Sequence, residues 1–121
     1  MTRILIVDDD LYLRELYEEI LKGEGYEVQT AEDGEEGLKK IGAGQFDLVL
    51  LDVMMPKLDG LGLLSKLSEA PPRDKQPVII LLTNLGQDPA VKDALTKGAK
   101  GYLVKAELTP DQVVAEVKKY V

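Results

Sequence analysis

The feature that most constrains this chain is a set of short, branched apolar runs bounded by polar residues. Ile4-Leu5-Ile6-Val7, Leu48-Val49-Leu50-Leu51, Val78–Leu82 and Tyr102-Leu103-Val104 are apolar at successive positions, so each predicts a strand buried on both faces. Tyr26–Ala31 alternates less cleanly and completes a set of five strands. Between the runs lie amphipathic segments. Leu13, Leu16, Tyr17, Ile20 and Leu21 follow helical spacing, and Gly23 and Gly25 end that helix. Asp33 with Glu36 predicts an N-cap and its reciprocal partner, opening a helix through Ile41. A Leu-rich helix is expected near 59–69. Another starts at Asp88-Pro89 and runs to about Lys97, with Val91, Ala94 and Leu95 on one face. Thr109-Pro110-Asp111-Gln112 is a capping box that opens a last helix with Val113, Val117 and Val121 inward. Strand and helix alternate five times. The expected fold is α/β: a doubly wound five-stranded parallel sheet with five helices, a flavodoxin-like (βα)5 three-layer αβα sandwich.

The chain has 121 residues, which suits one domain spanning 1–121. It contains no histidine and no cysteine. That excludes Ser-His-Asp and Cys-His catalysis, disulfides, and a zinc site of the usual ligands. The net charge of −7 is uneven: residues 1–60 carry −9 and residues 61–121 carry +2. No basic patch suggests nucleic-acid binding. No apolar run approaches a membrane span, and Asp8, Asp9 and Asp10 interrupt the only apolar stretch near the start. The expected location is the cytoplasm.

In sheets of this kind ligands bind beyond the carboxyl ends of the strands. Asp8, Asp9 and Asp10 follow the first run, Glu32 and Asp33 the second, Asp52 the third, Thr83 and Asn84 the fourth, and Lys105 the fifth. Glu32 and Asp33 suit capping or surface roles. Carboxylates at neighbouring strand ends repel unless a cation lies between them, and oxygen-only ligation suits Mg²⁺. A lysine facing the acids and a threonine hydroxyl complete a set suited to phosphoryl transfer, where catalysis is mostly positioning and charge neutralisation.

With ILIVDDD (4–10), LVLLDVMMPKLDG (48–60), ILLTN (80–84) and GYLVKA (101–106), the chain resembles the response-regulator receiver domains of two-component signalling along its whole length. The resemblance implies that Asp52 accepts a phosphoryl group from a sensor histidine kinase or phosphotransfer protein. It implies Mg²⁺ (or Mn²⁺) held by Asp8, Asp9, Asp52 and the backbone carbonyl of Met54, leaving Asp10 as a helix cap. Thr83 matches the hydroxyl that contacts the phosphoryl group, Lys105 the lysine that pairs with it, and Tyr102 the aromatic that changes rotamer on activation. The face of the fourth helix, fifth strand and fifth helix is expected to signal to a downstream protein or output domain, with homodimerisation as a further option. Its charged residues Lys92, Asp93, Lys97, Lys100 and Glu116 read as a solvated face that names no partner. No output domain is expected within these residues.

Four positions depart from the family pattern. Ala106 follows Lys105 where proline in a cis peptide is usual, and a non-proline cis bond costs ~3 kcal/mol. Asn84 follows Thr83 where a small residue is usual. Met54 and Leu85 cannot orient a hydrolytic water, so a long-lived phospho-Asp52 is expected. The alternative reading is a haloacid-dehalogenase-type phosphotransferase or phosphatase with Asp8 as nucleophile, since Asp8-Asp9-Asp10 contains a D-x-D spacing. A flavodoxin-like cofactor binder lacks both a phosphate-cradling loop and stacking aromatics. A receiver that never turns over phosphate is disfavoured because all five family positions, Asp8, Asp9, Asp52, Thr83 and Lys105, are filled.

Overall fold

The structure is a computed structural model that describes residues 2–44, 46–53, 59–69, 77–84, 89–105 and 109–121. Each branched apolar run forms a strand: β1 (Arg3–Val7), β2 (Glu27–Ala31), β3 (Leu48–Asp52), β4 (Val78–Thr83) and β5 (Gly101–Val104). They alternate with α1 (Leu11–Gly23), α2 (Gly34–Ala43), α3 (Gly60–Glu69), α4 (Pro89–Thr96) and α5 (Pro110–Lys118). All neighbouring strands pair in parallel, in the order β2-β1-β3-β4-β5. The chain steps from β1 outward to β2 and then back across β1 to β3, which puts the topological switch between β1 and β3.

The pleat sorts the core into two layers. Leu5, Val7, Val49, Leu51, Ile79 and Leu81 pack with Ile41 of α2, Leu63 of α3, and Val91 and Ala94 of α4. Ile4, Ile6, Leu48, Leu50, Ile80, Leu82 and Leu103 face the other way, onto Tyr17 and Leu21 of α1 and Val113 and Val117 of α5. The doubly wound sandwich is therefore as expected. Two side chains expected inward are not: Leu95 and Val121 are exposed. Leu95 lies one residue past Ala94 and has rotated off the sheet, and Val121 follows the helix end, where the 3.6-residue period no longer holds.

Helix termini follow their sequence signals. Asp10 caps α1 by accepting from the Leu13 N–H, and Asp33 caps α2 by accepting from the Glu36 N–H at 2.8 Å. The reciprocal bond of that second cap is displaced. Glu36 accepts from the Glu32 N–H at 3.4 Å and pairs with Lys40 at 3.2 Å. At Thr109 the full capping box forms, with Gln112 returning its side chain to the Thr109 N–H. Helix α1 ends in a Schellman motif in which Gly25, at φ 90°, donates to the Lys22 carbonyl and Tyr26 to the Leu21 carbonyl. Gly25 is thus the left-handed residue, Gly23 is the last helical one, and Tyr26 is drawn into the cap so that β2 begins at Glu27.

Candidate functional site

Strand parity decides which polar residues meet. The register that pairs Ile6 with Leu50 and Val7 with Leu51 carries Asp8 opposite Asp52 at the C-terminal ends of β1 and β3. Asp8 and Asp52 continue the parity of Ile6 and Leu50, so both lie on the α1/α5 side of the sheet. Lys105 continues the parity of Leu103 and arrives on the same side from the edge strand. Its Nζ stands 3.0 Å from Asp8 Oδ2 and 3.0 Å from Asp52 Oδ2. The three groups are deeply placed: Asp8 is 0% and Asp52 4% exposed, and the Lys105 side chain 10%.

Burial by itself pushes the Lys105 ammonium down, but the Asp8 and Asp52 carboxylates together outweigh it, so its pKa lies above that of a free lysine. It is a firm cation between two buried anions. Asp9, exposed at the mouth, brings a third acid. One carboxylate oxygen from each of Asp8, Asp9 and Asp52 lies within 4.8 Å of the others. Tyr17 of α1 is buried on the same face, and its phenol is pushed up by burial and then by Asp8, with Lys105 pulling the other way. A core-facing position on α1 hid this tyrosine from sequence reasoning.

Asp8 is held at nearly every polar atom. Its N–H donates to the Ala31 carbonyl at 3.1 Å, its Oδ1 accepts from the Asp10 N–H at 2.9 Å, and its carbonyl accepts from Arg14 Nη1 at 2.8 Å. Its Oδ2 is buried and accepts no hydrogen bond among the described residues, its contact with Lys105 Nζ being an ion pair at 3.0 Å. A buried anionic oxygen left without a hydrogen bond, facing two further carboxylates, fits a hard divalent cation.

Thr83 ends β4 opposite Val104 and is 4% exposed. It shares the parity of Leu81, whose register partner is Tyr102, so Thr83 and Tyr102 lie one pleat apart on the α4 side. Tyr102 is 41% exposed. Asn84 is also exposed. The expected metal-ligating carbonyl of Met54, Leu85, and the peptide after Lys105 at Ala106 lie outside the described residues, as does the expected helix start at Asp88. Asp10, expected as a cap, is one. Glu32, Asp33 and Glu36 also cluster, but their capping bonds and the Glu36–Lys40 pair account for them.

Gly60 opens α3 against the end of β3. Its N–H donates to the Val53 carbonyl at 3.0 Å, and a Cβ there would stand 2.6 Å from the Asp52 carbonyl oxygen. Only glycine allows this approach, which fixes the backbone on both sides of Asp52's exit from the sheet.

Comparison with known proteins places the chain in one family. Residues 4–118 match the response regulator receiver domain family. The chain is 42% identical over 106 residues to a chemotaxis protein of Treponema pallidum, covering 85% of this chain and 72% of that protein. It is 37% identical over 120 residues to a chemotaxis protein of Listeria monocytogenes, covering 98% of each. It also matches a gliding motility regulatory protein of Myxococcus xanthus at 42% identity, but spans only 14% of that protein. Among solved structures, a chemotaxis protein of Vibrio cholerae superposes with a TM-score of 0.90 at 30% identity over 100% of this chain and 99% of that one. A Thermotoga maritima response regulator superposes at 0.82 with 40% identity over 100% of each chain.

None of these matches supports the haloacid-dehalogenase alternative. The second acid of its D-x-D spacing, Asp10, is occupied in capping α1. Among the described residues no helix is long and apolar enough to cross a membrane. The chain belongs to the response regulator receiver domain family.

Proposed function

We propose that Asp52 is the phosphoacceptor of this receiver, taking a phosphoryl group from a histidine on a partner kinase or phosphotransfer protein in an Mg²⁺-dependent reaction. The observation that carries the reading is the Lys105 ammonium at 3.0 Å from both Asp8 and Asp52, with three carboxylate oxygens gathered beside it. A carboxylate oxygen of Asp52 attacks phosphorus as the donor's N–P bond breaks. The bonding pair returns to the imidazole nitrogen, which takes a proton, and an acyl phosphate remains on Asp52. Asp8, Asp9 and Asp52 would hold the metal, together with the Met54 carbonyl that the family resemblance implies. When bound, the metal neutralises charge on the transferring phosphoryl oxygens.

The chain's own residues do the rest. Lys105 exchanges one carboxylate partner for a phosphoryl oxygen and so follows the charge as it builds. Thr83 donates its hydroxyl to another phosphoryl oxygen. Its shift toward the phosphoryl group opens space on the α4 side, where Tyr102 moves from its exposed position inward. That change is read on the face of α4, β5 and α5 by a downstream protein or an output domain. The same residues promote loss of the phosphoryl group to water, so the receiver catalyses both halves of its own cycle in the cytoplasm. The Thermotoga relative was solved in complex with Mg²⁺-BeF, which supports the metal assignment.

The test is incubation with a small phosphodonor and Mg²⁺, followed by intact-mass measurement. The wild type should gain one phosphoryl group and Asp52→Asn none. Failure of the wild type to be modified would remove the reading. Mapping the modified peptide to Asp8 rather than Asp52 would transfer the role to the haloacid-dehalogenase alternative.

A further inference from the structure

Arg14 stands outside the acidic set, yet its guanidinium reaches back from α1 to the strand end that supplies Asp8. Nη1 donates to the Asp8 carbonyl at 2.8 Å. This carbonyl sits where the chain leaves β1: the Asp8 N–H still pairs with Ala31, as in the ladder, but Asp8 lies beyond the last residue that β1 pairs with β3. The side chain meanwhile is tied through Oδ1 to the Asp10 N–H. Three bonds from three segments therefore fix Asp8 and leave Oδ2 facing Lys105 and the other acids without a hydrogen bond.

We infer that Arg14 is a positioning residue for the metal site: by holding the Asp8 carbonyl it sets the β1–α1 turn so that Asp8 Oδ2 and Asp9 converge on one cation. This rests on the metal reading above and extends it to a residue that ligates nothing. The physics gives the idea a sign that a charge effect cannot mimic. A guanidinium beside a dication repels it, so removing the positive charge alone tightens metal binding. Loss of positioning loosens it, because outer partners of metal ligands typically account for about 10-fold or more in affinity. A partly exposed arginine on α1 also leaves both hydrophobic layers intact when it is replaced.

The experiment is Mn²⁺ binding followed by the EPR signal of the free ion, on the whole chain without any phosphodonor. The proteins are wild type, Arg14→Gln, Arg14→Lys and Asp8→Asn, with folding checked by circular dichroism. The expected result is a dissociation constant about 10-fold weaker in Arg14→Gln. Arg14→Lys, which retains a charged donor, should recover most of that loss, and Asp8→Asn should bind weakest of all. Unchanged or tighter binding in Arg14→Gln overturns the inference while leaving the metal reading intact. If Arg14→Gln does not fold, Arg14→Met, which keeps the alkyl stem without the donor, takes its place: weaker binding at unchanged fold supports the inference, and tighter or unchanged binding overturns it. Absence of Mn²⁺ binding to the wild type overturns both the metal reading and the inference that rests on it.

Discussion

Replacing Lys105 by methionine keeps an unbranched apolar stem and removes a cation 3.0 Å from both buried carboxylates. At an effective dielectric of about 20, each ion pair at that distance is a gross attraction of about 5 kcal/mol. The two carboxylates, with oxygens no more than 4.8 Å apart, repel by at least about 3 kcal/mol on the same scale. Most of the gross attraction is offset by the desolvation of all three groups. What the variant loses is compensation for carboxylates that stay buried, a loss of about 3–5 kcal/mol. With a urea slope of about 2 kcal/mol per molar, the unfolding midpoint should fall by more than about 1 M in EDTA. Metal should then narrow the gap. The variant site carries one more unit of uncompensated negative charge, and if it binds Mg²⁺ tenfold tighter, saturating metal restores about 1.4 kcal/mol relative to wild type. Urea titrations read by circular dichroism, with EDTA and with Mg²⁺, measure both quantities. A variant as stable as wild type in EDTA, or a gap indifferent to Mg²⁺, would refute the electrostatic account.

Gly60→Ala places a Cβ 2.6 Å from the Asp52 carbonyl oxygen, so the backbone beside Asp52 has to shift. Stability should drop by about 1–3 kcal/mol, and phosphorylation by a small donor should slow by an order of magnitude or more, measured by intact mass against time. Thr109→Ala removes the capping box of α5 and should cost about 1 kcal/mol, a fall in Tm of about 4 °C by calorimetry, with phosphorylation unaffected. Alkaline pH should destabilise the chain through Tyr17 and Lys105, whose pKa values are both raised by the fold. Each contributes stability that is fully present below its unfolded pKa of about 10 and is lost as pH rises through the higher folded value. Urea midpoints should therefore be level from pH 7 to about 9 and fall above about 10. In an absorbance titration of the five tyrosines the Tyr17 step should lie above the free-phenol value, and its loss from the curve in Tyr17→Phe checks the assignment.

The strands were legible because a branched apolar run buried on both faces has few other solutions, and the site followed from asking what ends each run. Asp8, Asp52 and Lys105 do converge, and Asp10, Asp33 and Thr109 do cap. Arg14 was not legible. It reads as one charge on an amphipathic helix, and its bond to a strand-end carbonyl six residues earlier depends on the angle at which α1 leaves the sheet. Tyr17 was visible only as a core position, since spacing marks which face a residue takes but not what its far end meets. Leu95 and Val121 show the converse error: helical period predicts a face, while the end of a helix and the local tilt decide whether that face is covered. Glu36 was expected to return to Asp33 and instead reaches Glu32 and Lys40, because a carboxylate on the first turn has several donors within the same radius.

The edge position of β5 has a further consequence for when the protein can work. Asp8, Asp52 and Lys105 come from the beginning, middle and end of the chain, and Lys105 reaches the acids only after a four-residue strand has added to β4. A sheet of β1, β2, β3 and β4 alone would hold these acids together without their lysine. It would carry the repulsion of the site but not its compensating charge, and so be less stable. Charge balance at the site thus coincides with completion of the sheet.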